Sequence, residues 1–189
     1  MLFRSVARDT VTVELGSPLP ARPEPAVRLT IAVALPKGER QKWLVEKLTE
    51  LGVARLVPLM TQRGVAEATD AARGRLVRGV IEACKQCGRN TLMEIGEPAT
   101  LGQLGTQSSQ ATRLIAHPGG RPLAAALGPE AADVVAAIGP EGGFTAEEID
   151  TAESVGFTAA SLGPTILRVE TAAITLAAAA ILFDGTPRR

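Results

Sequence analysis

The sequence predicts an α/β fold built on a parallel sheet with helices on both faces. Short apolar runs bounded by Gly or Pro alternate with charged segments of helical spacing, and the runs are continuously apolar. Strands buried on both faces read this way, whereas half-exposed strands alternate apolar with polar residues. A strand–helix alternation of such runs is the pattern of a parallel sheet. The 189 residues suit one domain with a short appendage. A chain of that size buries enough surface to need no disulfide or metal staple.

Residues 10–15 (TVTVEL) alternate as a half-exposed strand, and residues 17–25 are a proline-rich linker. One or two strands cannot form a domain, so residues 1–26 are read as an appendage and 27–189 as the main domain. Residues 29–35 (LTIAVAL) are a compact strand stopped by Pro36. Residues 39–51 follow as a helix, with Leu44, Leu48 and Leu51 on one face and Lys42, Glu46, Lys47 and Glu50 carrying charge. Gly52 stands at the C-cap position. Residues 55–60 are the next strand, and Pro58 assigns it to an edge or a strand end. Residues 70–87 are a helix with Asp70 as N-cap and Gly88 as terminator. Residues 91–95 and 113–117 are strands, and the polar segment 102–110 between them is a surface loop. Residues 133–138 (DVVAAI) form a buried strand that runs into Gly139-Pro-Glu-Gly-Gly-Phe144. Thr145-Ala-Glu-Glu148 has capping-box spacing for a helix ending near Gly156. Residues 158–162 are a strand, Gly163-Pro164 a sharp turn, and residues 167–183 a long Ala-rich helix. There is no internal repeat.

Twenty basic and twenty acidic residues cancel to zero, which argues against nucleic acid when taken whole. The halves differ. Residues 1–89 carry 15 Lys and Arg against 9 Asp and Glu, and residues 90–189 carry 5 against 11. The longest apolar stretch, residues 172–183, is well short of the ~20 residues of a membrane span. The first nine residues contain no apolar signal region. Two cysteines, Cys84 and Cys87, suit a reducing, cytoplasmic setting. Their C-x-x-C spacing raises metal and redox readings. A zinc site needs about four ligands, and His117 is the lone histidine. A reactive thiol pair sits at a helix N-terminus, whereas these lie at a C-terminus. Both are read as ordinary reduced cysteines, with no metal.

Gly139-Pro140-Glu141-Gly142-Gly143 follows a buried strand and precedes a capped helix, where open α/β sheets bind ligands. It matches neither the phosphate-binding Gly-Lys-Ser/Thr loop nor the dinucleotide Gly-x-Gly-x-x-Gly spacing. The spacing fits both a binding loop and a tight turn. Leu162-Gly163 through Ile166, Leu167, Arg168, Glu170 and Thr171 repeats the arrangement one unit later. Glu170 suits a helix N-terminus on its own account, but Arg168 opposes the dipole and therefore answers to a ligand or a carboxylate. His117, before Pro118-Gly119-Gly120, heads a third loop. Three such loops imply one pocket.

Taken together, Gly139-Pro-Glu-Gly-Gly-Phe144 and Leu162-Gly163-…-Ile166-Leu167-Arg168-…-Glu170-Thr171-Ala172 closely resemble the C-terminal signature of the RsmE-type methyltransferases of the SPOUT, or trefoil-knot, class. Leu35-Pro-Lys37, Glu46-Lys47 through Val53, Arg63, and Glu82-Ala83 through Gln86 and Arg89 resemble further family positions in order. The resemblance covers residues 28–183. It implies a deep C-terminal knot, which is an exception to the general rule against threading. It also implies a homodimer, and S-adenosylmethionine held by His117, Gly139, Pro140, Glu141, Gly142, Gly143, Leu162, Gly163, Ile166, Leu167 and Thr171. The implied reaction is N3-methylation of a uridine in 16S rRNA of the small ribosomal subunit. In that reaction Glu141 and Glu170 are acid/base or hydrogen-bonding candidates, and Arg168 stabilises charge on the uracil oxygens. Lys37, Lys47, Arg63, Gln86 and Arg89 are the RNA-facing set, while Arg73, Arg75 and Arg78 read equally well as a solvated helix face. Phe144 is the best base-stacking candidate, or else a plug beneath the loop. The family begins with a PUA-like β-barrel, of which residues 1–26 resemble only a last strand or two and a linker. The rival expectation is therefore a knotted dimeric module that binds cofactor or RNA without efficient turnover.

Overall fold

The computed structural model describes residues 2–14, 16, 17, 23–64, 69–107, 110–128 and 131–182. The elements in chain order are β1 (Leu2–Val6), β2 (Val11–Glu14), β3 (Arg28–Val33), α1 (Glu39–Glu50), β4 (Arg55–Pro58), α2 (Asp70–Cys87) and β5 (Glu94–Ile95), followed by α3 (Leu101–Gln107), β6 (Thr112–Pro122), α4 (Leu123–Leu127), β7 (Asp133–Ile138), α5 (Ala146–Ser154), β8 (Thr158–Ser161) and α6 (Val169–Leu182). Strands β3 to β8 form one sheet in the order β5-β4-β3-β7-β6-β8, and every pairing in it is parallel. The strand order reverses between β3 and β7, which pair along their whole length from Arg28↔Asp133 to Val33↔Ile138.

Two buried layers follow from the two-residue period of the strands. Leu29, Ile31 and Val33 of β3, with Val134, Ala136 and Ile138 of β7, join the core beneath α1, α2 and α6. Ala32, Val135 and Ala137 point the other way, into a smaller core with Leu101 and Leu104 of α3 and Ala152 of α5. The continuous apolar runs thus have the predicted cause. Ala172, Ala173, Ala177 and Ala180 are buried along α6, and their short side chains let it lie close against α1 and β3. No helix among the described residues is long and apolar enough to cross a membrane.

Several boundaries differ from the sequence expectation. The polar segment 102–110 is not a loop through its length, since α3 occupies Leu101–Gln107. Thr100 Oγ1 accepts the Gln103 N–H at 3.3 Å, and Leu101 and Leu104 are buried. Two buried leucines outweigh low helix propensity. Asp70 is the first residue of α2 rather than its cap. Thr69 caps it, accepting from the Ala72 N–H at 3.2 Å, while Gly88 terminates the helix in the left-handed conformation as expected. Pro58 ends β4, an interior strand, which settles its position as a strand end. The strand expected over 91–95 shrinks to Glu94–Ile95. The strand expected over 113–117 extends to Pro122. It pairs with β8 at Ala116↔Ala160, bulges over the intervening residues, and pairs again at Arg121↔Ala160. At the N-terminus β1 and β2 form an antiparallel hairpin, a sheet of its own. Most of the proline-rich linker, and Phe183 at the end of the last predicted helix, lie outside the described residues.

Candidate active site

A cavity of about 600 Å³ opens at the C-terminal ends of β7 and β8, beside the bulge of β6. Two of its walls are the predicted glycine loops; the third, expected as a loop after His117, is the bulged middle of β6 instead. Ala116, His117 and Pro118 supply one, Gly139 to Phe144 the second, and Ser161 to Leu167 with Val169 and Ala172 the third. The volume and mostly apolar lining suit a small organic ligand fixed by a few polar groups.

The glycine loop is built by short-range contacts. Gly143 N–H donates to the Pro140 carbonyl at 2.8 Å, and Gly143 has φ of 69°. Thr145 then caps α5 in a complete capping box. Its Oγ1 accepts the Glu148 N–H at 3.3 Å, and its own N–H donates to Glu148 Oε2 at 2.9 Å. The other Glu148 oxygen accepts the Gln62 N–H at 2.8 Å, so one carboxylate caps the helix and tethers the segment after β4. A Cβ on Gly139 would fall 2.9 Å from the Phe144 ring. Phe144 is thus a half-buried plug packed against Gly139 and the smaller core, with part of its ring on the cavity wall. His117 Nδ1 accepts the Gly119 N–H at 3.1 Å, which leaves Nε2 to carry the ring proton.

The structure gathers ten of the eleven cofactor candidates into this cavity. His117, Gly139, Pro140, Glu141, Gly142, Gly143, Leu162, Gly163, Ile166 and Leu167 all line it. Thr171 is exposed on α6 and does not. Of the catalytic candidates, Glu141 lines the wall, Arg168 is exposed just before α6 outside it, and Glu170 is buried behind it at 5% exposure. Glu141 receives a hydrogen bond from its own backbone N–H and another from Arg40. Together these hold its carboxyl below the usual carboxylate range despite partial burial.

The RNA-facing set does not stay together. Lys37 and Gln86 are exposed, and Gln86 lines a separate groove of about 710 Å³ between α1 and α2. Arg63 donates from Nη1 to the Gly142 carbonyl and braces the glycine loop. Lys47 is held 2.8 Å from both Glu46 and Glu50, whose carboxylates raise its pKa. The Arg89 side chain is only 8% exposed and must be withdrawn from the set. Its guanidinium is spent on Glu24 and on the carbonyls of Thr49, Gly52 and Val53 at the end of α1. These carbonyls belong to the last turn of α1 and the turn that follows it, and Arg89 holds that turn in place. Cys84 is buried, which pushes its thiol pKa up, and neither cysteine is in a disulfide. Among the described residues no group of three His, Cys, Asp or Glu is arranged to hold a metal.

Sequence reasoning missed Arg40, whose Nη1 donates to Glu141 Oε1 at 2.8 Å across 101 positions. Its sole sequence signal was its place in the first turn of the helix that follows a central strand.

Loops from parallel strands that converge on one cavity beside a reversal of strand order define a ligand-binding α/β domain. Residues 22–181 match the RNA methyltransferase domain. The chain is 31% identical over 178 residues to the ribosomal RNA small subunit methyltransferase E of Rickettsia conorii, covering 92% of this chain and 71% of that protein. It is 36% identical over 172 residues to the protein of the same name from Synechocystis, covering 87% of this chain but 54% of that one. It thus spans about half the length of the Synechocystis relative. The chain belongs to the ribosomal RNA small subunit methyltransferase E family, within the RNA methyltransferase domain. Among solved structures, a Legionella pneumophila protein in complex with the bound cofactor SAM superposes with a TM-score of 0.85 at 36% identity. That match covers 93% of this chain and 74% of the other. The ribosomal RNA small subunit methyltransferase E of Neisseria gonorrhoeae, bound to S-adenosyl methionine, gives 0.77 at 31% identity, covering 83% and 66%. An RNA 2′-O ribose methyltransferase at 18% identity and TM-score 0.55 shares the fold alone.

Proposed function

We propose that the chain is an S-adenosylmethionine-dependent methyltransferase acting on N3 of a uridine in 16S rRNA of the small ribosomal subunit, in the cytoplasm and as a homodimer. The observation that carries this is the convergence of the two glycine loops and the β6 bulge on one 600 Å³ cavity, in a chain whose relatives include proteins solved with that cofactor. The loop backbone fits such a ligand. Gly142 and Gly143 bring main chain to the cavity wall with no side chain between, and the Gly143 φ suits glycine. Gly139 to Gly143, Leu162, Gly163, Ile166, Leu167 and His117 hold the cofactor, with Thr171 at the rim. When bound, it supplies a methyl group already activated by the sulfonium sulfur.

The chain's own task is alignment and proton management. Glu141, with its carboxyl held ionised, accepts a hydrogen bond from uracil N3–H and takes the proton late, as N3 becomes bonded to carbon. So acidic a carboxylate is a weak base, and orientation is the larger part of its role. Arg168 stabilises negative charge on the uracil oxygens from the exposed start of α6. Glu170 acts from beneath, through its neighbours. Lys37, Lys47, Arg63 and Gln86 contact RNA from separate places on the surface rather than as one edge.

Residues 27–189 form the SPOUT domain, and residues 1–26 comprise strands of a PUA-like barrel with a linker. The separate β1–β2 sheet, and the entry of Val27 into the core, support that division. A C-terminal trefoil knot is supported by the path of α6. It leaves edge strand β8 and crosses back to pack on α1 and β3.

Calorimetry with S-adenosylmethionine, followed by transfer of labelled methyl to 30S subunits lacking the modification, tests the proposal. Label is expected at N3 of one uridine. No binding at about millimolar cofactor would sink it, and binding without transfer would restrict the chain to a cofactor-holding module.

A further inference from the structure

The first turn of α1 lies at the C-terminal end of β3, beside β7 at the reversal of strand order. Arg40 there donates from Nη1 to Glu141 Oε1 at 2.8 Å. The same nitrogen lies 3.9 Å from Oε2 of Glu170, beyond hydrogen-bonding range. Glu170 is 5% exposed and its Oε2 has no hydrogen-bond partner among the described residues. Buried polar atoms in folded proteins are nearly always satisfied, so an orphaned carboxylate oxygen points to a state in which a donor reaches it. Among the described residues, Arg40 is the cation within 4.0 Å of that carboxylate. A guanidinium presents several N–H donors in a rigid planar fork and can serve two carboxylates at once, which an ammonium, a compact point charge, does poorly. Closing the gap requires a shift of about 1 Å.

We propose that Arg40 is the positioning residue of the cavity: its guanidinium ties the glycine loop, through Glu141, to the first turn of α6, through Glu170, and bridges both carboxylates when the cavity is occupied. The ligand in this statement is the cofactor of the proposed function, so that half rests on the methyltransferase reading. The tie itself does not. Arg40 joins the start of α1, the loop after β7 and the start of α6, three segments with no covalent reason to move together. Without it, among the described residues, Glu141 would be steered by its own backbone N–H alone and Glu170 would lose the cation within 4.0 Å of it. Both carboxylates would then drift from the geometry that a single ligand pose requires.

The test uses R40Q and R40K in the full chain. Carboxyl-carbon NMR, with Glu141 assigned through E141Q, reads the tie without any ligand. R40Q is expected to move the Glu141 titration up toward the ordinary glutamate range, and R40K to leave it partly depressed. A titration unmoved by R40Q would overturn the proposal. Calorimetry with S-adenosylmethionine reads the bridge. R40Q and R40K are each expected to weaken binding about tenfold, and R40Q added to E170Q to cost less than about twofold more. Effects of R40Q and E170Q that simply multiply would refute bridging, and full affinity in R40K would refute the need for a fork. If E170Q does not fold, the R40K affinity and the NMR titration still decide. A wild-type chain that binds no cofactor, with the titration shift as expected, would sink the methyltransferase reading and the occupied-state bridge while the Arg40–Glu141 tie stood.

Discussion

Gly120→Ala is expected to damage this protein more than any exposed charge reversal. Gly120 lies in the β6 bulge, and a Cβ there would fall 2.5 Å from both the Ala159 carbonyl carbon and the Ala160 nitrogen, and 2.7 Å from the Ala159 oxygen. All three are backbone atoms of β8, so no side chain can rotate away. Ordinary van der Waals contact requires roughly 3.5 Å, and β8 must therefore retreat by about 1 Å. Overpacking of this kind costs about 1–3 kcal/mol. The neighbouring pairings Ala116↔Ala160, Arg121↔Ala160 and Pro122↔Ser161 would weaken at about 1 kcal/mol for each hydrogen bond lost. A total near 3 kcal/mol corresponds to a fall in Tm of about 6–12 °C for a domain of this size. Because β8 leads directly into the wall formed by Ser161 to Leu167, cofactor affinity should fall along with stability. Urea denaturation and calorimetry measure the two effects. Gly74→Ala is the control, since a Cβ there meets nothing within 4 Å in α2, and it should stabilise by up to about 1 kcal/mol. If Gly120→Ala stayed within about 0.5 kcal/mol of wild type with its affinity intact, the packing argument would be wrong.

Two further outcomes follow from the ionic contacts. Arg89→Met should cost about 2–4 kcal/mol in urea denaturation, because the end of α1 loses its carbonyl partner and Glu24 its cation. The salt dependence of RNA binding should not change; a shallower slope would return Arg89 to the RNA-facing set. Glu141 titrates below its ordinary 4.5, so the folded form binds protons less readily there than the unfolded chain. Its small stabilising contribution should be fully present above about pH 5 and fade as pH falls through its folded-state pKa. The stability difference between wild type and Glu141→Gln, followed across acidic pH, should shrink accordingly. A difference that grew on acidification would reverse the sign and remove the Arg40 contact as its cause.

Local chemistry made much of this molecule legible from its residues in order. The runs at 29–35 and 133–138 became the central pair β3 and β7 because continuous apolarity has few uses other than burial on both faces. Thr145 and Glu148 announced the start of α5, and Gly88 the end of α2, because caps depend on residues a few positions apart. Two of the three glycine loops were found for the same reason, the third proving to be a bulge within β6, and ten of the cofactor candidates meet in one cavity. What failed was also local. Segment 102–110 looked too polar for a helix, yet two leucines docking on the smaller core made one.

The pairings of charge were decided by tertiary structure alone. Nothing in sequence distinguishes Arg89, buried over three carbonyls, from Arg78 or Lys85 on the same stretch, because its partners lie 36–40 positions away. Nor does it mark Arg40, which meets Glu141 only because β3 and β7 are neighbours in a sheet whose order differs from the order of the chain. The sequence by itself determined the strands, the caps and the loop chemistry, since each depends on residues within a few positions of one another. Which cations hold the site together, and which remain exposed for a partner, was set by the strand order of the sheet, because Coulomb and hydrogen-bond partners are chosen by distance in space.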